Sequence, residues 1–483
     1  MNQRTSRRRV LLASAGLVGA AVGSGLVPSR AWAQAQVPET RVTQADQTSV
    51  AVTIYNENLA LVKDRRRVTL PPGIQNLAFI DVSAQLRPET ALLHSDGGQL
   101  GVLEQNFEFD LLTPEKLLED SVGETVKVVR INPVTGAETV EDARILSVAN
   151  GLVLKIGDRI ETAYPGRVVF DRVPARLRAR PTLVLELQNA NPSEQQVELG
   201  YLTGGLAWKA DYVAELAPDE KSMDLSGWVT LTNTSGSSYN EAKLQLVAGN
   251  VNQVQPMMEQ AAKSMTMATN AAAPPMAQEE LFEYHLYTLG RPTTIGDNQT
   301  KQVAMLSGAG IPVTKEYRLV NIGTAYNYAL GDMARVNATV RMAFDNKEAD
   351  HLGLPLPKGT VRVYKNDSSG QALFVGEDAI DHTPKGETIH LDLGQAFDVT
   401  AQPKQTEFEQ LSDRVFEAAF EIEVKNAKKE PVTVTVAEQF PAQWKMIDES
   451  LPHQKVQAFQ AEWQVPVPAE GKTTLKYRVR VTY

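Results

Sequence analysis

Apolar and polar residues alternate with a period of two along most of the chain, the pattern of a strand with one buried and one wet face. From Val336 to Phe344, the residues Val336, Ala338, Val340, Met342 and Phe344 alternate with Asn337, Thr339, Arg341 and Ala343. Phe416, Ala418, Phe420, Ile422 and Val424 alternate with Glu417, Ala419, Glu421 and Glu423, and Leu475, Tyr477, Val479, Val481 and Tyr483 with Lys476, Arg478, Arg480 and Thr482. Each run predicts a half-buried strand.

A recurring unit accompanies this alternation: a strand, an Asn near its end, a few turn residues and a second strand. It occurs from Leu183 (LVLELQNANPSEQQVELGY), Gly227 (GWVTLTNTSGSSYNEAKLQLV), Val340 (VRMAFDNKEA) and Phe420 (FEIEVKNAKKEPVTVTV). The turn asparagines are Asn189, Asn233, Asn346 and Asn426; Asn suits these places because it satisfies local backbone groups and tolerates left-handed angles. The spacing resembles paired strands of immunoglobulin-like sandwiches, without a tandem repeat of fixed period.

Between Glu124 and Asp171 the predicted strands are short and the turns tight, at Asn132-Pro133 to Gly136, Asn150-Gly151 and Gly157-Asp158. Asn-Gly between apolar runs signals a hairpin, and the segment reads as a small β-barrel or meander. A short helix capped by Thr113 and opened by Pro114 precedes it. A second short helix is expected near Gln405 to Arg414. The fold expected is therefore all-β and multi-domain: immunoglobulin-like β-sandwiches plus a small β-barrel or meander, with little helix.

The sharpest break in the pattern is QPMMEQAAKSMTMATNAAAPPMAQEE, from Gln255 to Glu280, which lacks alternation and branched aliphatic residues and reads as a disordered linker. A hinge is expected over Asp171 to Pro181. These breaks divide the chain into 1–33 (signal), 36–110 (N-terminal β domain), 111–172 (barrel or meander), 173–254 (sandwich), 255–280 (linker), 281–400 (β domain) and 401–483 (immunoglobulin-like sandwich).

The first of these segments pairs a basic start with a modestly apolar, glycine-rich stretch from Val10 to Val27 and the small-residue pattern Ala31-Trp32-Ala33, the grammar of a signal peptide. The run Ser6-Arg7-Arg8-Arg9-Val10-Leu11 carries the paired arginines of a twin-arginine address. Cleavage after Ala33 would remove five arginines and no acid, taking the net charge from −10 to −15. A soluble periplasmic or secreted bacterial protein is expected, with no other apolar stretch of membrane-spanning length.

Composition narrows the chemistry. The chain has 483 residues, 48 Lys plus Arg, 58 Asp plus Glu and no Cys. That length argues for two to four domains, and the acidic balance argues against nucleic acid as a partner. Without Cys there is no disulfide scaffold, cysteine–zinc site, iron–sulfur cluster or thiol nucleophile. A chain folded before twin-arginine export has no need of oxidative stapling.

Candidate sites are few, and each has a plainer reading. Met257, Met258, Met265, Met267 and Met276 lie in the linker; clustered thioethers suit Cu(I), but no His or Cys is interleaved, which favours a simple tether. His285 follows Glu283 at period two, and Asp378, Asp381 and His382 cluster in EDAIDHTPKG. A carboxylate–imidazole group suits metal binding or acid–base work, yet no HExxH, HxH or two-His-plus-carboxylate spacing accompanies it. There is no GxSxG and no SxxK. Gly471-Lys472-Thr473 imitates the end of a phosphate loop, but Pro466 stands where the first glycine belongs and a strand follows. Arg172, Arg176, Arg178 and Arg180, and the run Lys63-Asp64-Arg65-Arg66-Arg67, suit an anionic ligand or, more simply, acidic neighbours at a junction. Trp208, Trp228, Trp444 and Trp463 lie beside strand patterns, where core packing is the default and sugar stacking the alternative. No catalytic, cofactor-binding or metal-ligating residue is assigned, and no cofactor is expected.

Several separated blocks carry a resemblance: YLTGGLAWKADYVAEL from Tyr201, GWVTLTNTSGSSYNEAKLQLVAGNVNQV from Gly227, EYHLYTLGRPTTI from Glu283, PLPKGTVRVYKND and FVGEDAIDHTPKGE between Pro355 and Glu387, and the stretch Phe397 to Phe440. Together they resemble the domain of unknown function 4139 family, related to mucoidy-inhibitor-like proteins, over about residues 201–483. The resemblance implies a β-rich exported or envelope-associated module and supplies no catalytic residues. Residues 36–181 read as β without heptads, unlike the helical segment that precedes this region in mucoidy-inhibitor-like members. The function expected is a non-enzymatic periplasmic binding or scaffold protein with a protein or glycan partner. The alternative is a hydrolase or metal-dependent enzyme with dispersed Asp, Glu and His, and a third reading is copper capture by the Met-rich linker.

Overall fold

The three alternating runs form the strands Val336–Asp345, Val415–Asn426 and Gly471–Thr482 in the computed structural model. It describes residues 39–249 and 276–483, apart from Glu57, Gly98, Gln99, Ala175, Arg176, Phe282, Glu283, Thr324 and Asp332. The signal segment, Met257, Met258, Met265, Met267, Arg176 and Glu283 therefore lie outside the described residues. Alternation does what period two requires: Ala418, Phe420, Ile422 and Val424, with Leu475, Tyr477, Val479 and Val481, are all buried on one side of their strands. Among the described residues the structure is all-β, with open sheets and the single α-helix Pro114–Asp120. That helix begins as expected, with the Thr113 side chain accepting from Lys116 N–H and Pro in the first turn. No helix among the described residues is long and apolar enough to cross a membrane.

The four turn asparagines share one structural job. Each is buried, its amide nitrogen donates to a carbonyl of the segment that follows, and its oxygen accepts a backbone N–H. Asn233, for instance, donates to Ser237 O at 2.8 Å and accepts from Ser235 N at 3.0 Å. None of the four adopts positive φ, so side-chain bonding and not left-handed backbone explains their placement.

Five sheets carry the strands of the described residues. A four-stranded sheet has the order Glu39–Val42, Gly73–Ile80, Thr182–Asn189, Leu100–Glu108. In an eight-stranded sheet, Gln47–Tyr55 and Leu59–Thr69 lie between Tyr239–Ala248 and Glu194–Thr203. Residues before 110 and after 181 therefore interleave in two sheets and share one core, which runs from Val42 to Leu391. The sequence division between 36–110 and 173–254 marks an insertion rather than a separation of cores. Period two tells a strand which face is buried, but not which partner it will find more than a hundred residues away.

The insertion is the segment between Thr125 and Val169, an open antiparallel sheet in the order Arg159–Glu161, Val153–Ile156, Glu138–Ser147, Thr125–Ile131, Arg167–Val169. It is a meander rather than a closed barrel, with its own small core around Val128, Ile145 and Leu154. The tight turn at Asn150-Gly151 is present, with Gly151 at φ 116°.

A central five-stranded sheet has the order Gln299–Pro312, Ser222–Asn233, Leu206–Leu216, Gly359–Asn366, Ala372–Ile380. Beside it, a nine-stranded sheet is built around the 25-residue strand Thr388–Ser412. This strand runs through the expected division at residue 400 and replaces the helix expected at Gln405 to Arg414. Register shifts at Gln405/Glu407 and Gln410/Ser412 are why this segment does not alternate as a strand would, because each bulge breaks the period-two phase. The second half of the long strand, from Val399 to Ser412, nevertheless pairs with Val415–Asn426, and Phe408 stacks on Phe416 at 6.2 Å. The linker expected over 255–280 also ends earlier than its composition suggested. Ala277–Leu281 is a strand paired with Tyr284–Thr288, and Met276 is buried in the main core with its N–H on Met305 O.

Candidate functional site

Of the sequence-nominated groups, the structure brings the two histidines together. His285 lies on Tyr284–Thr288, and His382 follows the edge strand Ala372–Ile380. Burial, the Lys358 charge and the nearness of His285 all hold the His382 imidazole below its usual value. Its Nδ1 accepts the Lys358 N–H at 3.1 Å, so in the neutral ring Nε2 carries the proton and points a donor, not a lone pair, away from the backbone. Asp381 acts on that ring only through its charge, which opposes the lowering, and its carboxylate is 93% exposed and 3.8 Å from Lys358 Nζ. Asp378 accepts the N–H groups of Ala379 and Asp392, each at 2.8 Å. Among the described residues, no group of three His, Asp or Glu is placed to hold a metal ion. Met276, buried in the core, is not exposed to share a surface copper site with the other linker methionines.

Several arginines of the basic clusters are paired. Arg172 reaches Glu124, Arg178 bridges Glu39 and Glu108, and Arg180 meets Asp81 at 2.6 Å. Arg66 is fully buried, paired with Asp64 at 2.7 Å and bonded to Val42 O and Ile80 O, which ties the first strands together. Trp208 and Trp463 are core residues, whereas Trp228 and Trp444 are half-buried. Gly471 opens a strand, as its surroundings predicted.

The best-formed cavity was not nominated by any motif. It lies where the edge strand Ala372–Ile380 meets the long strand Thr388–Ser412, and its volume is about 250 Å³. Leu216, Val340, Met342, Val375 and Leu393 form apolar walls. Two irregularities open it. The long strand slips register opposite Val340/Arg341, where Gly394 has φ 141°, and the edge strand slips at Val363/Tyr364. Close approach of the two strands depends on Gly376, at φ 154°, because a Cβ there would overlap Leu393 O.

Polar groups gather at the mouth of this pocket. After Leu206–Leu216 the chain turns through Glu220, which sits in the left-handed region at φ 59°. Its carboxylate accepts Lys315 Nζ at 2.6 Å on one oxygen and Lys365 Nζ at 2.5 Å on the other. Lys315 comes from the nine-stranded sheet and Lys365 from the central sheet, so one carboxylate clamps both. Burial opposes the charge on Glu220, but the two lysine hydrogen bonds overcome it and hold the carboxyl at about 2. Sequence offered no signal here, since residues 220, 315 and 365 share no local pattern.

Two other features compete. A wide cleft of about 970 Å³ lies near the start of Gly471–Thr482, where a bulge of the long strand presents Phe397 at 89% exposure. Its lysines Lys425 and Lys472 both pair with Glu423, and Arg335 donates to Thr400 Oγ1. The cleft lacks the apolar walls of the junction pocket. The second feature is a carboxyl, Glu438, only 1% exposed in the C-terminal core. Its Oε1 accepts the N–H groups of Ile322 (3.1 Å) and Gly323 (2.9 Å), and its Oε2 the Tyr326 hydroxyl (3.1 Å). Burial raises it to about 7 despite these bonds. Glu438 did have a sequence signal: it falls in the apolar phase of Val432, Val434, Val436 and Phe440, where a charged residue is out of place.

Comparison with known families matches residues 197–483 to the domain of unknown function DUF4139, a stretch that contains every residue of the junction pocket. Comparison with the curated proteins finds no match. With well over half of its length matched, the chain belongs to the domain of unknown function 4139 family.

Proposed function

We propose that this is an exported envelope protein, sent through the twin-arginine route to the periplasm or beyond, that works by binding a small ligand rather than by catalysis. The observation that carries the reading is the junction pocket: apolar walls closed at the mouth by a lysine–carboxylate–lysine clamp. Pockets of this kind, a mainly apolar cavity with a few convergent polar groups between two packed units, are the usual seats of small ligands. Binding is favoured over turnover because a carboxyl held at about 2 stays ionised through the working pH range and is a poor general acid or base. The signal grammar of residues 1–33 supports the export half of the proposal.

The test uses the mature chain, residues 34–483, labelled at its methionine methyl groups. Met342 lines the pocket, and its methyl resonance is expected to shift with at least one compound of a diverse small-molecule panel. A panel that leaves Met342 untouched, or a compound that is converted to product, overturns the binding reading.

A further inference from the structure

The junction pocket has two halves with different chemistry, and together they describe a ligand. The walls are aliphatic and thioether carbon, so the part of the ligand that enters must be apolar. At roughly 30 Å³ for a group the size of a water molecule, a cavity of about 250 Å³ accommodates on the order of eight non-hydrogen atoms.

The mouth carries a charge imbalance. Glu220 supplies one negative charge against the two ammonium groups of Lys315 and Lys365. Each ammonium has three donors and spends one on Glu220, which leaves donors on both for another acceptor. Lys315 also lies 5.6 Å from the centre of the Tyr317 ring. Lys428, which donates to the Tyr317 hydroxyl at 3.0 Å, is paired with Glu430 at 2.6 Å, so this neighbouring pair adds no net charge. One positive charge is therefore in excess beside an apolar cavity.

We propose that the pocket binds a medium-chain carboxylate, with its alkyl tail between Leu216, Met342 and Val375 and its head group between Lys315 and Lys365. The inference rests on the pocket being the binding site. A single negative head balances the mouth and gains charge-assisted hydrogen bonds. A neutral alcohol leaves the excess charge uncompensated, and an amine is repelled. Tail length is read by the walls: each buried methylene contributes about fourfold in affinity until the cavity is full.

Calorimetric titration of the mature protein with octanoate, butanoate and 1-octanol tests this. Octanoate is expected to bind at least tenfold more tightly than 1-octanol and more tightly than butanoate. Val375→Trp, at an exposed edge position, fills the cavity and is expected to abolish octanoate binding. The charge variants are expected to move in opposite directions. Lys365→Gln should weaken octanoate about tenfold and Glu220→Gln should tighten it severalfold, whereas mere damage to the clamp would make both weaker. Equal binding of octanoate and 1-octanol, charge variants that shift alike, or octanoate binding that survives Val375→Trp would overturn the ligand class. If Met342 still responds to other compounds in that event, the pocket remains the binding site and only the carboxylate assignment falls. If Met342 responds to nothing, both fall.

Discussion

Replacing Glu438 with Gln preserves the shape of a buried side chain and removes its proton equilibrium. In the folded protein, burial holds this carboxyl at about 7, against 4.5 for an ordinary glutamate. Between those two values the folded chain keeps a proton that the unfolded chain has lost. Stability from this group is therefore complete below pH 4.5 and is lost as pH rises through about 7. At about 1.36 kcal/mol per pKa unit, the loss amounts to about 3 kcal/mol. Gln carries no such dependence. Its oxygen can still accept from Ile322 and Gly323, and the Tyr326 hydroxyl can rotate to accept from its amide. The assay is urea unfolding of wild type and Glu438→Gln from about pH 4.5 to pH 8, followed by near-ultraviolet circular dichroism. That signal reports the aromatic cluster around Glu438, in which Tyr477 stacks on Trp463 at 4.8 Å and on Phe420 at 5.3 Å. Other titrating groups are common to both proteins and cancel in the difference. The difference is expected to move by about 3 kcal/mol in favour of the variant across this range. Parallel stability profiles would refute the reasoning, because they would mean that the buried carboxyl ionises as easily folded as unfolded.

Gly323→Ala, next to Ile322, places a Cβ against the Tyr477 hydroxyl and is expected to destabilise by about 2 kcal/mol, read as a lowered urea midpoint. Asn233→Ala strands the carbonyl of Ser237 and the N–H of Ser235, and is expected to cost about 1–3 kcal/mol. Asn240→Ala, at an exposed strand position without left-handed backbone, should cost much less by the same measurement. Replacing both Arg7 and Arg8 with Lys is expected to retain the precursor in the cytoplasm, checked by fractionation and immunoblot, while its folding is unaffected.

Much of the architecture was legible because it depends on neighbours in the chain. The phase of Phe420, Ile422 and Val424, the cap at Thr113, and the hairpin at Asn150-Gly151 are all set by local sterics and by hydrogen bonds within a few residues. Even the asparagine unit was visible, although its purpose proved to be buried side-chain bonding. A change of phase hides the strand at Gln405 to Ser412: two bulges break its alternation, although it pairs as strand. Glu438 was legible in retrospect as a charge in an apolar phase.

The junction pocket belongs to the other category. Leu216, Glu220, Lys315, Met342, Lys365 and Leu393 come from five strands and a turn, and no spacing among them distinguishes them from surface residues elsewhere. By itself, then, the sequence determined the strands, their buried faces, the caps and the family. Strand partners, the interleaving of residues 39–110 with 182–248, and the clamp that joins two sheets were decided only in three dimensions. The physical reason is that alternation specifies a face and not a neighbour: a half-buried strand accepts any partner of matching pattern. Which partner it takes depends on the burial of the whole core, a property that no short window contains.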